Sequence, residues 1–171
     1  MSFIKTDDNV KLFYESTGKG EPIIFVHEFA GDHRSWEPQV NFFSRNFTCI
    51  TYSARGYTPS DVPNDINMYS QERAWQDIRN IVERLNLKKA HIVGLSMGGF
   101  ATLHFGINCP NLALSLCIAG CGYGAKPKNS QNDEGFSMVS KNTAKDILNR
   151  GMKIVGSEYA LGPSRVQFQN K

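Results

Sequence analysis

The sequence predicts an α/β fold in which a mostly parallel β-sheet is flanked by helices. Three observations carry this. Apolar runs of strand length alternate with segments of helical period. Several of the apolar runs are nearly continuous, as strands covered on both faces require. Their order along the chain is β-α-β, which lays successive strands side by side through crossover helices. The 171 residues, 40% hydrophobic and 20% charged, suit one globular domain with a real core.

The elements follow in order. Residues 10–15 alternate in part and suggest an early antiparallel strand. After a turn at Gly18, Lys19 and Gly20, residues 22–27 form an apolar run suited to a strand buried on both faces. Residues 32–45 suit a helix with Trp36, Val40 and Phe43 along one side, and residues 47–52 suit the next strand. Ser70 can cap a helix over 71–85, where Trp75, Ile78, Val82 and Leu85 recur at three- and four-residue steps. A strand at 89–95, a helix at 97–108 and a strand at 112–119 complete the alternation. The composition then changes. Residues 120–135 are glycine-rich and carry Lys126, Pro127 and Lys128, which predicts an exposed linker. Residues 136–155 have mixed helical character broken at Gly151, and residues 157–171 show no clear period. The chain is therefore expected to divide into a core at 1–122 and a linker with a further segment at 123–171.

The net charge of +3 is spread along the chain and does not point to nucleic acid or to a membrane surface as partner. No apolar run has the length of a membrane span, and the first residues lack the pattern of a signal peptide. Cys49, Cys109, Cys117 and Cys121 show no metal-binding spacing, and three of the four lie in or beside apolar segments. They are expected to be small buried thiols in a reducing cytoplasm, with no metal or organic cofactor.

The chemistry concentrates at residues 90–100, a strand, a sharp turn and a helix start. The turn is Gly94-Leu95-Ser96-Met97-Gly98. A serine hydroxyl is a weak nucleophile and has to be presented at a strand end, open to a base and to substrate. Gly94 and Gly98 remove the side chains that would collide in such a turn. The helix that follows aims backbone N–H groups at the place where an oxyanion forms. A GxSxG string arises by chance in this length roughly one time in twenty, so the strand before and helix after carry much of the weight. The plainer reading is an ordinary glycine-rich β-to-α turn; its phosphate-loop version lacks support, because neither GxGxxG nor GxxxxGK[ST] is present. Ser96 is the expected nucleophile and the N–H of Met97 one expected oxyanion donor.

Together with this elbow, His27 at the end of the 22–27 strand, Arg55-Gly56 with Ser60, and Trp36 resemble the α/β-hydrolase family, in the right order over about residues 10–120. The resemblance implies an α/β-hydrolase fold of about six strands, incomplete, with the start of a lid after Gly120. It places Phe29 as the second oxyanion donor through its backbone N–H, and makes His27 a structural residue of that loop. The family most often has glycine where this chain has Glu28, which is expected to be an exposed loop carboxylate, with a place near the pocket mouth, tuning its charge, as the alternative. The immediate surroundings of Ser96 most resemble carboxylesterases and enol-lactone hydrolases. Epoxide hydrolases and haloalkane dehalogenases use an aspartate at the nucleophile position.

A triad in this fold runs Ser, then Asp or Glu, then His. The one histidine after Ser96 is His104, about two turns into the following helix, where a side chain points back along the helix. His33 lies in the first helix and His91 at the buried start of the elbow strand. No histidine here suits the base, and none of Asp133, Glu134, Asp146 and Glu158 is assigned as the acid. The expectation is the N-terminal portion of a longer serine hydrolase, taking a small acyl substrate through an acyl-serine and inactive by itself. A split enzyme, a degenerate ligand-binding relative, and carbon–carbon bond hydrolases or acyltransferases stay open. An incomplete sheet would also leave an edge for self-association or for the missing half.

Overall fold

The computed structural model describes residues 2–122 and 134–162. The chain divides into two compact units, Met1–Gly122 and Tyr123–Lys171.

The first unit is built on a six-stranded sheet. Its strands are β1 (Ser2–Lys5), β2 (Lys11–Thr17), β3 (Glu21–Val26), β4 (Phe47–Tyr52), β5 (Ala90–Leu95) and β6 (Ala113–Ala119), in the order β1-β2-β4-β3-β5-β6. β2 pairs antiparallel with β1 and β4, whereas β4, β3, β5 and β6 run parallel. The sequence pattern does not reveal β1, a four-residue strand with only Ile4 buried. It is held by pairing with β2 and by the Phe3 ring against Phe13.

β3 lies inside the parallel region, and Ile23 to Val26 are all buried. One sheet face, with Ile24, Val26, Ile50 and Ile92, packs on Ile78, Ile81 and Val82 of α2 (Gln71–Arg84) and on Ala101 and Phe105 of α3 (Met97–Asn108). The opposite face, with Ile23, Phe25 and Cys49, packs on Trp36 and Val40. Burying a side chain of this size contributes about 1.5–3 kcal/mol, so these two layers carry most of the unit's stability. Ser70 caps α2 as its sequence predicts, accepting a hydrogen bond from the Arg73 N–H at 3.0 Å.

The helix expected over 32–45 is two elements, a 3-10 turn at His33–Trp36 and then α1 (Glu37–Phe43). Pro38 explains the break. An α-helical ladder through this segment would need the nitrogen of residue 38 to donate to the Arg34 carbonyl, and proline has no N–H. The Glu37 N–H takes that carbonyl instead. Asp32 caps the turn through the Arg34 N–H at 2.8 Å.

The two sheet edges differ. β1 is short and ends on Lys5, as natural edges often do. β6 has seven uncharged residues with Leu114, Leu116 and Ile118 each about two-fifths exposed. The expected burial of the cysteines is corrected here: only Cys49 is buried, Cys109 and Cys121 are half-buried, and Cys117 on β6 is exposed. With nothing paired beyond β6 among the described residues, apolar sequence alone does not bury Cys117.

In the second unit, α4 (Glu134–Arg150) and α5 (Met152–Ala160) are separated by Gly151 at φ +83°. Arg150 binds Asp146 at 2.9 Å and also binds Glu158, tying the two helices together. The break at Gly151 agrees with the sequence, although α5 extends through residues 157–160, where no period was legible. The predicted linker at 123–133 and the end of the chain from 163 lie outside the described residues. No helix among the described residues is long and apolar enough to cross a membrane.

Candidate active site

Ser96 stands between the end of β5 and the first residue of α3, with φ +51° and ψ −111°. An L-residue rarely adopts this conformation, and holding it costs about 1–3 kcal/mol. The neighbouring glycines show how the turn is made. A Cβ on Gly94 would overlap the Gly98 carbonyl and the Thr102 hydroxyl. A Cβ on Gly98 would overlap the Val26 carbonyl at the end of β3. α3 therefore starts in backbone contact with β3, and the loop leaving β3 is brought beside the elbow.

That loop carries Phe29. The Gly31 N–H donates to the Glu28 carbonyl at 3.1 Å, closing a turn with Phe29 and Ala30 at its centre. Ala30 takes φ +61°, the positive value that the third residue of a type II turn requires. The Phe29 side chain is half-exposed. Met97 is the first residue of α3, where backbone N–H groups lack partners inside the helix. The Tyr57 hydroxyl donates to Met97 Sδ at 3.8 Å.

Glu28 departs from its expected exposed position. Its carboxylate folds back over the turn, with Ser35 Oγ donating to Oε1 at 3.4 Å while Oε2 is buried. A Cβ on Gly31 would lie only 2.6 Å from Oε1, so Gly31 makes the space for it.

The histidines are each accounted for. His27 is fully buried, and its Nε2 accepts from the Ala54 N–H at 3.0 Å. Nδ1 then carries the proton and donates to the Glu28 carbonyl at 2.8 Å. Burial pushes its pKa below the usual histidine value. Both nitrogens are thus committed to backbone, which ties the β3 loop to the loop after β4. His33 is bonded to Ser53 at 2.9 Å through Nδ1. His91 is half-buried rather than buried: its ring pairs with Ser115 at 2.7 Å across to β6. His104 is half-buried within α3.

Arg55 explains how the loop after β4 keeps its shape. Its five N–H donors bind Asp77 (2.7 and 2.8 Å), Asp8 (2.8 and 3.1 Å) and the Met68 carbonyl (2.7 Å). Burial pushes the Asp77 carboxyl up to about 6, against the pull of Arg55. The Arg55 bonds hold Asp8 down at about 2. Two residues on, the Tyr57 ring meets His27 edge-on, with centroids 4.8 Å apart. Sequence reading did not single out Tyr57 for the site; its one local signal is its place directly after Arg55-Gly56. A cavity of about 200 Å³ lies against the opposite sheet face, lined by residues including Glu15, His33, Glu37 and Cys49. It is not part of this constellation.

Residues 21–116 match the family described as alpha/beta hydrolase fold. The chain is 35% identical over 97 residues to 3-oxoadipate enol-lactonase 1 of Acinetobacter baylyi, which covers 57% of this chain and 35% of that protein. It is 30% identical over 109 residues to epoxide hydrolase 1 of Caenorhabditis elegans, covering 63% and 27%. Among solved structures, an esterase from Exiguobacterium antarcticum superposes with a TM-score of 0.72 at 25% identity, covering 85% of this chain and 56% of that one. The chain thus spans only about a quarter to a third of the length of these two curated relatives. The family match over more than half of the chain, the sheet order and the elbow agree: this chain belongs to the alpha/beta hydrolase fold family.

Proposed function

We propose that this chain carries the nucleophile and oxyanion-binding part of a serine hydrolase for carboxylic esters or similar small acyl substrates. The observation that carries the reading is Ser96 itself, at φ +51° in a turn cleared by Gly94 and Gly98. Strain of this kind is kept where a side chain must be presented. An aspartate nucleophile, as epoxide hydrolases use, is not available at this position. The similarity to an enol-lactonase and an esterase supports acyl chemistry.

In the proposed reaction Ser96 Oγ attacks the acyl carbonyl, and the N–H groups of Met97 and Phe29 hold the resulting oxyanion. Water then releases the acyl group. A base takes the serine proton, and it comes from polypeptide outside residues 1–171. Two of the four histidines have a ring nitrogen bonded to a serine, His27 has both committed to backbone, and His104 is set within α3. The catalytic acid is proposed to lie outside this segment as well.

A fluorophosphonate probe on the full-length protein tests the reading. Ser96 is labelled, and Ser96→Ala abolishes both labelling and turnover of short acyl esters. An unlabelled Ser96 in a folded protein would refute hydrolysis through this serine and favour a ligand-binding role. Residues 1–171 alone show little or no turnover, and robust activity from them would overturn the assignment of the base to other polypeptide.

A further inference from the structure

The end of β6 touches Ser96 through both of its backbone groups. The Ser96 N–H donates to the Ala119 carbonyl at 2.8 Å, and Cys121 Sγ donates to the Ser96 carbonyl at 3.2 Å. Gly120 joins them at φ +62°, so close to β5 that a Cβ there would lie 2.9 Å from Leu95 Cδ1. Cys121 Sγ also covers Gly99, where a Cβ would overlap it. The positive φ of Gly120 turns the chain back across the elbow, which puts Cys121 beside Ser96.

The Ser96 carbonyl and the Met97 N–H belong to one peptide plane and point in opposite directions across it. Whatever fixes the carbonyl therefore fixes the direction of the N–H. Inside α3 the carbonyl accepts from the Phe100 N–H at 3.1 Å. That helical bond alone is common to any helix start and does not account for the departure of residue 96 from allowed backbone angles. The bond from Cys121 comes from the segment just beyond β6 and is not part of the helical pattern. We propose that Cys121 is a positioning residue that, with Gly120, locks the Ser96–Met97 peptide plane. It thereby sets both the exposure of the nucleophile and the aim of the first oxyanion donor. The proposal rests on the nucleophile reading of Ser96. Burial pushes the Cys121 thiol up, which keeps the proton on sulfur and the group a donor at neutral pH. Nothing in the role requires the thiol to react.

The test uses Cys121→Ala and Cys121→Ser in the full-length protein. Alanine removes the donor, and serine keeps one on a shorter bond. The expected result for Cys121→Ala is a fall in kcat and in the fluorophosphonate labelling rate on the order of tenfold, with KM unchanged. Cys121→Ser recovers part of the loss. Unchanged kcat and labelling in Cys121→Ala, or a raised KM with kcat unchanged, would overturn the proposal, the latter by making Cys121 a wall of the pocket. Crystal structures of both variants give a second readout that needs no activity. The Ser96–Met97 peptide rotates in Cys121→Ala and returns in Cys121→Ser; an unmoved peptide in Cys121→Ala would overturn the brace. If the parent protein is not labelled at Ser96, the nucleophile reading fails, and the peptide orientation still decides whether Cys121 holds that plane.

Discussion

Replacing Ser96 separates strain from chemistry, because alanine and glycine remove the same hydroxyl but treat the backbone differently. At φ +51° and ψ −111° a residue with a Cβ costs about 1–3 kcal/mol. Ser96→Ala keeps that cost. Ser96→Gly relieves it, at an expense of about 0.4–1 kcal/mol for the greater freedom of glycine in the unfolded chain. The difference favours the glycine variant over the alanine variant, by up to about 2.6 kcal/mol. The sign matters more than the size, since glycine inside a regular helix or strand is less stable than alanine by about 0.5–1 kcal/mol. For a chain of this length, 1 kcal/mol moves Tm by about 2–4 °C. Urea unfolding of both variants, with matching m values, reads the difference directly. If Ser96→Ala proves as stable as Ser96→Gly or more so, the elbow stores no strain, and the observation behind the proposed function loses its force.

Three further outcomes follow from the same structure. Asp77→Ala leaves the buried Arg55 guanidinium with Asp8 as its one carboxylate partner, and urea unfolding should show a loss of about 3–5 kcal/mol; a loss under about 1 kcal/mol would mean that Asp8 suffices. Asp8 has an ordinary value of 3.8 and is held at about 2 in the fold, so the stability it contributes is complete above 3.8 and is lost as pH falls through 2; Asp8→Asn should flatten the acid limb of a stability–pH curve in that window, and an unchanged limb would assign it to other groups. Residues 1–171 alone should self-associate through the uncharged β6 edge in sedimentation velocity, with Cys117→Lys shifting the distribution toward monomer, and a monomeric parent chain would refute this.

The elements that sequence revealed are those whose cause is local. β4 at residues 47–52 and α3 at 97–108 have the predicted bounds, and α2 ends one residue short, because apolar period and a serine cap act within a few residues. The elbow was legible for the same reason: Gly94, Ser96 and Gly98 lie within five positions. What was missed depends on partners far along the chain. β1 exists because β2 pairs with it. Glu28 folds inward because Gly31 and Ser35 leave it a place, and no periodicity reports that. Trp36 ends a 3-10 turn because Pro38 cannot donate, a local signal that the helical spacing of Trp36, Val40 and Phe43 obscured. Tyr57 and Cys121 come next to Met97 and Ser96 through loops 40 and 25 residues away in sequence.

If Ser96 is the nucleophile proposed above, presenting it and activating it are separate tasks. Presentation requires rigid backbone on every side of Ser96, and residues 23–121 supply it. β3 bears on Gly98, Ala119 of β6 and Cys121 just beyond it hold the two backbone groups of Ser96, and α3 begins at the next residue. Apart from the Cys121 hydrogen bond, each of these restraints is a packing or backbone contact between neighbouring parallel strands and the helix between them. Activation requires a titratable side chain whose nitrogen is uncommitted and aimed at Oγ. His27 directly follows β3, yet both of its ring nitrogens are taken by backbone bonds, which fix the loop that carries Phe29. A histidine whose two nitrogens shape the loop after β3 cannot also take the Ser96 proton without breaking one of those bonds. On the proposed reading, the base then arrives on an element that is not needed to build the elbow.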